Sequence, residues 1–295
     1  MNNGLTNRGI PGFRCLIEEF VQRVKERNPV IEVSPLQEVE PRIRGTLPNK
    51  EVDLVLSSGG RGSPFDGFKK PWYSGYRKFL DHVADATLKD PLRSPALFVV
   101  CHSFEISIIH FDFAKMKERR ELKVGAMPAY LTEEGRQDPL FAPFGDRLFG
   151  WEYREWQAMD LDEKRLGRGA LLARESLPGK TDEGEALLAC RFAPGIVGTQ
   201  FHPEADREGA TAYIEENAER LKGSYGEKGF QQMSEIVNNP NGLMRTYTLL
   251  IPSWLTLRFN ELAPHRGWNP IDMPGEARPS RSSRLTGGLP GLRDS

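Results

Sequence analysis

The chain has 295 residues, 38% hydrophobic and 27% charged, with 40 Lys and Arg against 41 Asp and Glu for a net charge of −1. That length allows one large domain or two modest ones with a sizeable core, and the composition excludes a disordered, fibrous or disulfide-scaffold protein. A chain so close to neutral has no overall field to draw nucleic acid or an anionic membrane, so neither is expected as a partner.

The N-terminal stretch MNNGLTNRGIPGFRCLIEEF has no apolar run behind a basic start, which removes the secretory reading. Cys15, Cys101 and Cys190 lie far apart and form no C-x-x-C pair, so neither a disulfide framework nor a metal site is expected, and no cofactor is implied. The longest strongly apolar stretch, Tyr247 to Leu257, contains Pro252 and falls well short of the ~20 residues a spanning helix needs. The chain reads as soluble and cytoplasmic.

Phe13, Leu16, Ile17, Phe20, Val21 and Val24 recur at helical spacing until Asn28-Pro29, which predicts an amphipathic helix over 12–27. Val30 to Val33 predicts a short strand. Asp53 to Ser58 (DLVLSS) enters the turn Gly59-Gly60-Arg61-Gly62 as a buried parallel strand enters a loop. Residues 72–87 read as a helix, Pro95 to Cys101 as the most apolar strand and Ser103 to Met116 as the helix behind it. Helices between buried strands imply right-handed crossovers, hence α/β architecture with a mainly parallel sheet covered on both faces.

Between 120 and 200, Gly169 to Arg174, Glu185 to Phe192 and Ile196 to Phe201 predict strands of an antiparallel addition. Phe149 to Asp162 interleaves Trp151, Tyr153 and Trp156 with Glu152, Arg154 and Glu155. That alternation predicts an amphipathic strand with one packed face; the alternative is a segment that borders a site. From 207 onward the pattern is helical. Gly223 to Asn239 reads as polar with one short helix, and Pro240 to Leu262 as a helix interrupted at Pro252. This extension either folds back over apolar surface or docks a partner, another protein or a second copy of the chain. Residues 275–295 have the Arg, Gly, Pro and Ser composition of a disordered tail.

Two stretches concentrate the chemistry. In FVVCHSFE, Cys101 closes an apolar strand and precedes a helix, so its side chain is expected on a sharp turn at the carboxyl edge of the sheet, beside helix N–H groups. That setting lowers a thiol pKa and offers donors to a developing oxyanion. In GTQFHPE, a strand delivers His202, Pro203 stops the ladder, and Glu204 is placed to orient the imidazole. His102 is expected in the loop, His82, His110 and His265 as structural residues, and Cys15 and Cys190 in the core.

GTQFHPEAD is similar to the G-V-Q-F-H-P-E segment of class I (triad-type) glutamine amidotransferases, Cys101 falls where that family keeps its nucleophile, and DLVLSSGGRGSP resembles its S-G-G-P loop. The resemblance covers roughly residues 1–220 and divides the chain into a domain over 1–222, a helical extension over 223–274 and a tail over 275–295. It implies a flavodoxin-like, mainly parallel sheet with helices on both faces. It also implies hydrolysis of the glutamine side-chain amide by a triad of Cys101, His202 and Glu204, as in the glutaminase domain of GMP synthase. Backbone N–H groups of Gly59, Gly60 and His102 would hold the oxyanion, with Glu105 in the family's glutamine position among the substrate-binding residues.

The chain has no G-x-x-x-x-G-K-S/T phosphate loop, so the family's usual use of the ammonia requires a separate synthetase. Glutamine is the expected small-molecule substrate, with a synthetase subunit or a homodimer through the C-terminal helices as the expected assembly. Three positions depart from the family. Val99 replaces a small residue, Glu105 puts a carboxylate near the thiol and would raise its pKa, and Arg61 replaces the loop proline, where it would compensate Glu105 or bind a substrate carboxylate. Met1 to Gly4 resembles the end of the family's first strand, so most of that strand is expected to be absent. A γ-glutamyl hydrolase of the same fold, or a non-catalytic homologue, are the rival readings.

Overall fold

The computed structural model of the chain describes residues 9–49, 51–176 and 186–275. Helix α1 (Ile10–Arg27) begins with Pro11 in its first turn and ends at Asn28, and it buries Phe13, Leu16, Phe20 and Val24 as the spacing required. The next stretch differs from expectation. Residues 30–33 form no strand: Val30 is 94% exposed, and Ile31 and Val33 lean on the core with no neighbouring strand to complete a ladder.

After the short helix α2 (Pro41–Arg44), β1 (Leu54–Ser57) leads through the glycine turn to α3 (Pro71–Lys89), and β2 (Ala96–Val100) follows. Helix α4 (His102–Phe111) is shorter than the sequence predicts. Asp112 closes it in the left-handed conformation, donating its N–H to Ile108, and the chain is already in β3 (Lys115–Leu131) where the helix was expected to continue. The short helix α5 (Glu133–Gln137) precedes β4 (Arg147–Met159), β5 (Ala170–Arg174), β6 (Leu187–Ala193) and β7 (Ile196–Thr199).

These strands make one sheet in the order β1-β2-β7-β6-β4-β3-β5, and β5 also pairs with β6. The architecture is α/β. The expectation of a mainly parallel, flavodoxin-like sheet is corrected: only β1 with β2 and β2 with β7 are parallel, and the other pairings are antiparallel. The pairings β6–β4–β3–β5–β6 close on themselves. The reason lies in the connections, because a parallel neighbour needs a crossover helix, whereas β6 and β7 are joined by a tight turn through Gly195 that permits only antiparallel pairing.

Strand β2 is buried along its whole length. Phe98 and Val100 face α1 and the C-terminal helix α8 (Leu243–Leu262), while Leu97 and Val99 face α3 and α4. Each such side chain removed from water contributes roughly 1.5–3 kcal/mol, so the strand that carries Cys101 is anchored from both faces. Helix α8 continues through Pro252 and is not interrupted there; it buries Leu250, Ile251, Trp254, Leu255 and Phe259, with Trp254 edge-on to Phe98 at 5.6 Å. The extension thus folds back over apolar surface. Asn28 ties it down, donating from Nδ2 to the Asn269 carbonyl at 2.9 Å and accepting the Asn269 N–H at 2.7 Å.

Helices α6 (Arg207–Glu216) and α7 (Ala218–Asn238) cover β3 and β4. Helix α7 is much longer than the short helix expected, runs across residue 222 and bends at Gly226, whose φ is 69°. Cys190 is buried as expected, but Cys15 is exposed, with its sulfur 3.7 Å from Glu19 Oε1 on the solvent side of α1. Among the described residues no helix is long and apolar enough to cross a membrane. The expected first-strand remnant, Met1 to Gly4, and the expected tail beyond Gly275 lie outside the described residues.

Candidate active site

Cys101 sits where β2 turns into α4. Its N–H donates to the Thr199 carbonyl at 2.8 Å, extending the β2–β7 ladder, while its own carbonyl accepts the Glu105 N–H at 2.9 Å, the first bond of the helix. Satisfying both partners forces φ 53° and ψ −109°, a conformation that costs a non-glycine residue of order 1–3 kcal/mol. The side chain is thereby presented at the carboxyl edge of the sheet, with its sulfur 3.9 Å from the Tyr153 carbonyl.

The parallel neighbour β7 delivers His202 to the same edge. Phe201 fills the space over Gly150, where any Cβ would lie 2.3 Å from its ring, and the His202 N–H donates to the Trp151 carbonyl at 2.7 Å. The imidazole Nδ1 is 2.8 Å from Glu204 Oε1, and the ring and the Cys101 sulfur both border Gly59, where a Cβ would lie 2.9 Å from His202 Cε1 and 3.5 Å from the sulfur. Nδ1 being engaged, Nε2 is the nitrogen left to exchange a proton. Burial alone would push the imidazole pKa down, but the charges of Glu204 and the Cys101 sulfur outweigh it and hold His202 well above its ordinary value.

Glu204 is fully enclosed, and the enclosure comes from α1. A Cβ at Gly9 would lie 2.4 Å from Glu204 Oε1, and one at Gly12 would lie 2.2 Å from the Glu204 carbonyl oxygen. The two glycines let the N-terminus of α1 approach the carboxylate, and that end of a helix carries a partial positive charge.

The glycine turn after β1 approaches from the other side. A Cβ at Gly59 would lie 2.9 Å from His202 Cε1 and 3.0 Å from Cys101 Cβ, so only glycine fits there. A buried chain of hydroxyls fixes the turn against α4: Ser57 Oγ meets Tyr76 Oη at 2.9 Å and Ser103 Oγ at 2.8 Å, and Ser103 Oγ donates to the Ser58 carbonyl at 2.5 Å. Gly60 and Arg61 continue into the cavity wall. The N–H of His102 lies in the first turn of α4, where helix N–H groups have no partner within the helix.

Two expected site residues have other surroundings. The His102 ring is buried rather than in the loop, and its Nδ1 is 3.3 Å from Glu105 Oε2. Glu105 Oε1 accepts a hydrogen bond from Gln200 Nε2 at 3.0 Å. The carboxylate therefore joins the Cys101 turn to the His202 turn and does not line the cavity. Val99 is also accommodated, because the residue opposite it on β7 is Gly198. His110 is structural as expected, held between Asp81 and Arg77.

Cys101, His202 and Glu204 open on a cavity of about 1170 Å³. Trp151 and Tyr153 line it, so the strand from Arg147 to Met159 borders the site as well as packing. Sequence reasoning missed Arg42, Lys70, Trp72 and Tyr213 on its walls, and Gly9 and Gly12 behind Glu204. The spacing Gly9-x-x-Gly12 at the start of a helix was the one available sign of a close approach. Among the described residues no group of three or more His, Cys, Asp or Glu side chains could hold a metal ion. A thiol, an imidazole and a carboxylate gathered at one cavity, beside backbone donors, can carry out nucleophilic acyl transfer.

No protein-family model matches the sequence, and no curated protein matches it. Solved structures do resemble it. A glutamine amidotransferase from Thermotoga maritima aligns with 65% of this chain and 75% of its own at 16% identity and a TM-score of 0.44. The glutaminase domain of Trypanosoma brucei CTPS with bound acivicin aligns with 72% of this chain and 89% of its own at 12% identity and a TM-score of 0.46. A glutamine amido transferase from Methylobacillus flagellatus aligns with 75% of this chain and 78% of its own at 13% identity and a TM-score of 0.44. At such overlap the functional reading rests on the side chains themselves.

Proposed function

We propose that the protein hydrolyses the side-chain amide of glutamine through a covalent Cys101 intermediate. The observation that carries this reading is the gathering of Cys101, His202 and Glu204 at one cavity, with Nδ1 held at 2.8 Å from Oε1. In the mechanism, the sulfur attacks the carboxamide carbon while His202 holds the thiol proton. The oxyanion forms against the N–H groups of the Gly59-Gly60 turn and of His102. His202 then gives the proton to the departing nitrogen, ammonia leaves, and water activated by the same ring cleaves the thioester to glutamate.

Glu204 stabilises the imidazolium at both proton transfers. The elevated His202 pKa supports this assignment, because a ring that favours its protonated form is a ready acceptor for the thiol proton. Ammonia passes to a synthetase that aminates an acceptor. The domain over 1–222 performs the hydrolysis, and the helices beyond it brace β2 from behind.

The test is ammonia release from glutamine by the full chain and by Cys101→Ala. Turnover by the wild type that Cys101→Ala abolishes, together with labelling of Cys101 by a glutamine-analogue electrophile, is the expected result. Ammonia release that survives Cys101→Ala overturns the assignment.

A further inference from the structure

We infer that the site accepts γ-glutamyl amides whose nitrogen carries an aromatic group, with the glutamyl head on the β1 side of Cys101 and the aromatic amine on the β7 side. This rests on the reading of Cys101 as an amidase nucleophile and adds the substrate class. The sheet order supplies the geometry, because β2 lies between β1 and β7: residues after β1 line one part of the cavity, and residues after β7, with Trp151 and Tyr153 of β4 bridged to His202, line another.

The β1 wall is charged. Arg61, Asp66 and Lys70 follow β1, and Arg42 lies over the ring of Trp72 at 5.6 Å with its Nη1 donating to the Arg61 carbonyl at 2.7 Å. Three cations and one carboxylate match an α-amino acid head, whose carboxylate pairs with the guanidinium and ammonium groups and whose ammonium pairs with Asp66. Gly60 adjoins this wall, so a glutamyl chain held there reaches its γ-carbonyl to the glycine turn.

The β7 wall is aromatic. Tyr213 of α6 stands edge-on to Trp151 at 5.4 Å and to Tyr153 at 6.2 Å, and Tyr153 is 37% exposed. Gly209, Ala210 and Ala212 on the same helix, all small, line the cavity beside these rings. Ammonia needs no such wall. The cavity of about 1170 Å³ exceeds the 300–1,000 Å³ usual for drug-sized ligands, and free glutamine leaves most of it empty. The Cys101 sulfur, 3.9 Å from the Tyr153 carbonyl, sits at the junction of the two walls.

The reaction remains a balanced hydrolysis. The sulfur–carbon bond forms as the amide carbon–nitrogen bond breaks, the proton on His202 goes to the leaving amine, and water then releases glutamate and restores the thiol.

The experiment compares γ-glutamyl-2-phenylethylamide with γ-glutamyl-ethylamide, whose leaving amines are close in basicity, alongside glutamine and with the full chain. A favourable aromatic contact predicts a kcat/KM about tenfold higher for the phenylethyl amide, expressed mainly in KM. Tyr213→Ala is expected to bring that ratio down to about one, and Tyr213→Phe, which keeps the ring, is expected to preserve it. Equal kcat/KM for the two amides, or a ratio that Tyr213→Ala leaves in place, overturns the inference, while Cys101-dependent ammonia release from glutamine keeps the amidase reading intact. Absence of turnover on all three substrates, with Cys101 inert to the glutamine-analogue electrophile, defeats both.

Discussion

Gly198 lies directly opposite Val99 across the β2–β7 ladder, and a Cβ there would fall 2.2 Å from the Val99 carbonyl oxygen and 2.3 Å from its Cγ2. The small residue that a tight nucleophile turn requires is thus supplied by the neighbouring strand. Gly198→Ala has to separate the two strands that carry Cys101 and His202. Overpacking of this kind costs about 1–3 kcal/mol, so a denaturant midpoint lowered at constant m-value is expected, together with slower labelling of Cys101. A fully stable, fully reactive Gly198→Ala protein would contradict this role.

Glu105 accepts a hydrogen bond from buried Gln200 Nε2, and removing it takes that acceptor away. Glu105→Ala is expected to lose about 1–3 kcal/mol of stability. Glu105→Gln keeps an oxygen that can accept from Gln200 Nε2 and is expected to lose less. Equal losses in thermal or chemical denaturation would show that the hydrogen bond contributes nothing.

The Cys101 strand, the glycine turn and the His-Pro-Glu segment were legible because each depends on local chemistry: an apolar run, a turn that tolerates only glycine, a proline that stops a ladder. What the sequence hid depends on partners distant in the chain. Nothing in FVVCHSFE shows that Val99 meets Gly198, that Glu105 bonds Gln200, or that Ser103 joins Ser57 and Tyr76. The antiparallel bias of the sheet was hidden for the same reason. GALLAR and the strand around Cys190 read as separate pieces, and only their pairing shows that β3 to β6 close on themselves. The strand expected at residues 30–33 has the right residues but no neighbour, and strand propensity without a partner does not make a strand.

His202 and Glu204 set a pH dependence. The folded-state pKa of His202 is raised, so the stability contributed by the pair is complete below the unfolded imidazole value of about 6.5 and is lost as pH rises through the folded value. Glu204→Gln removes the larger of the two charges that oppose burial, and the ring is then expected to titrate lower than in the wild type. Proton NMR of the His202 ring measures both shifts. Glutamine turnover by Glu204→Gln is expected to fall by roughly 10²–10⁴-fold, the usual scale for a positioned proton-transfer group. An unchanged ring titration in Glu204→Gln would rule out the electrostatic role.

In the closed antiparallel part of the sheet, Arg154 is fully buried between Glu152, at 2.5 Å from its Nε, and Glu175, at 2.8 Å from its Nη2. Lys123 also pairs with Glu175. Burial would raise the Glu175 carboxyl, but Arg154 and Lys123 overcome it and hold the pKa at about 2. A carboxylate depressed in the folded state contributes stability that is complete above its unfolded value of about 4.3 and lost as pH falls toward 2. Arg154→Met leaves buried Glu152 with only the longer contact to Lys123 Nζ at 3.9 Å, a loss of about 3–5 kcal/mol. The double variant Arg154→Met with Glu152→Met removes both charges and should recover much of it. Circular dichroism followed from pH 7 down to pH 2 is expected to show the wild type holding its fold below pH 4 and Arg154→Met unfolding at higher pH. Coincident acid transitions would mean that the buried charges have no net part in stability.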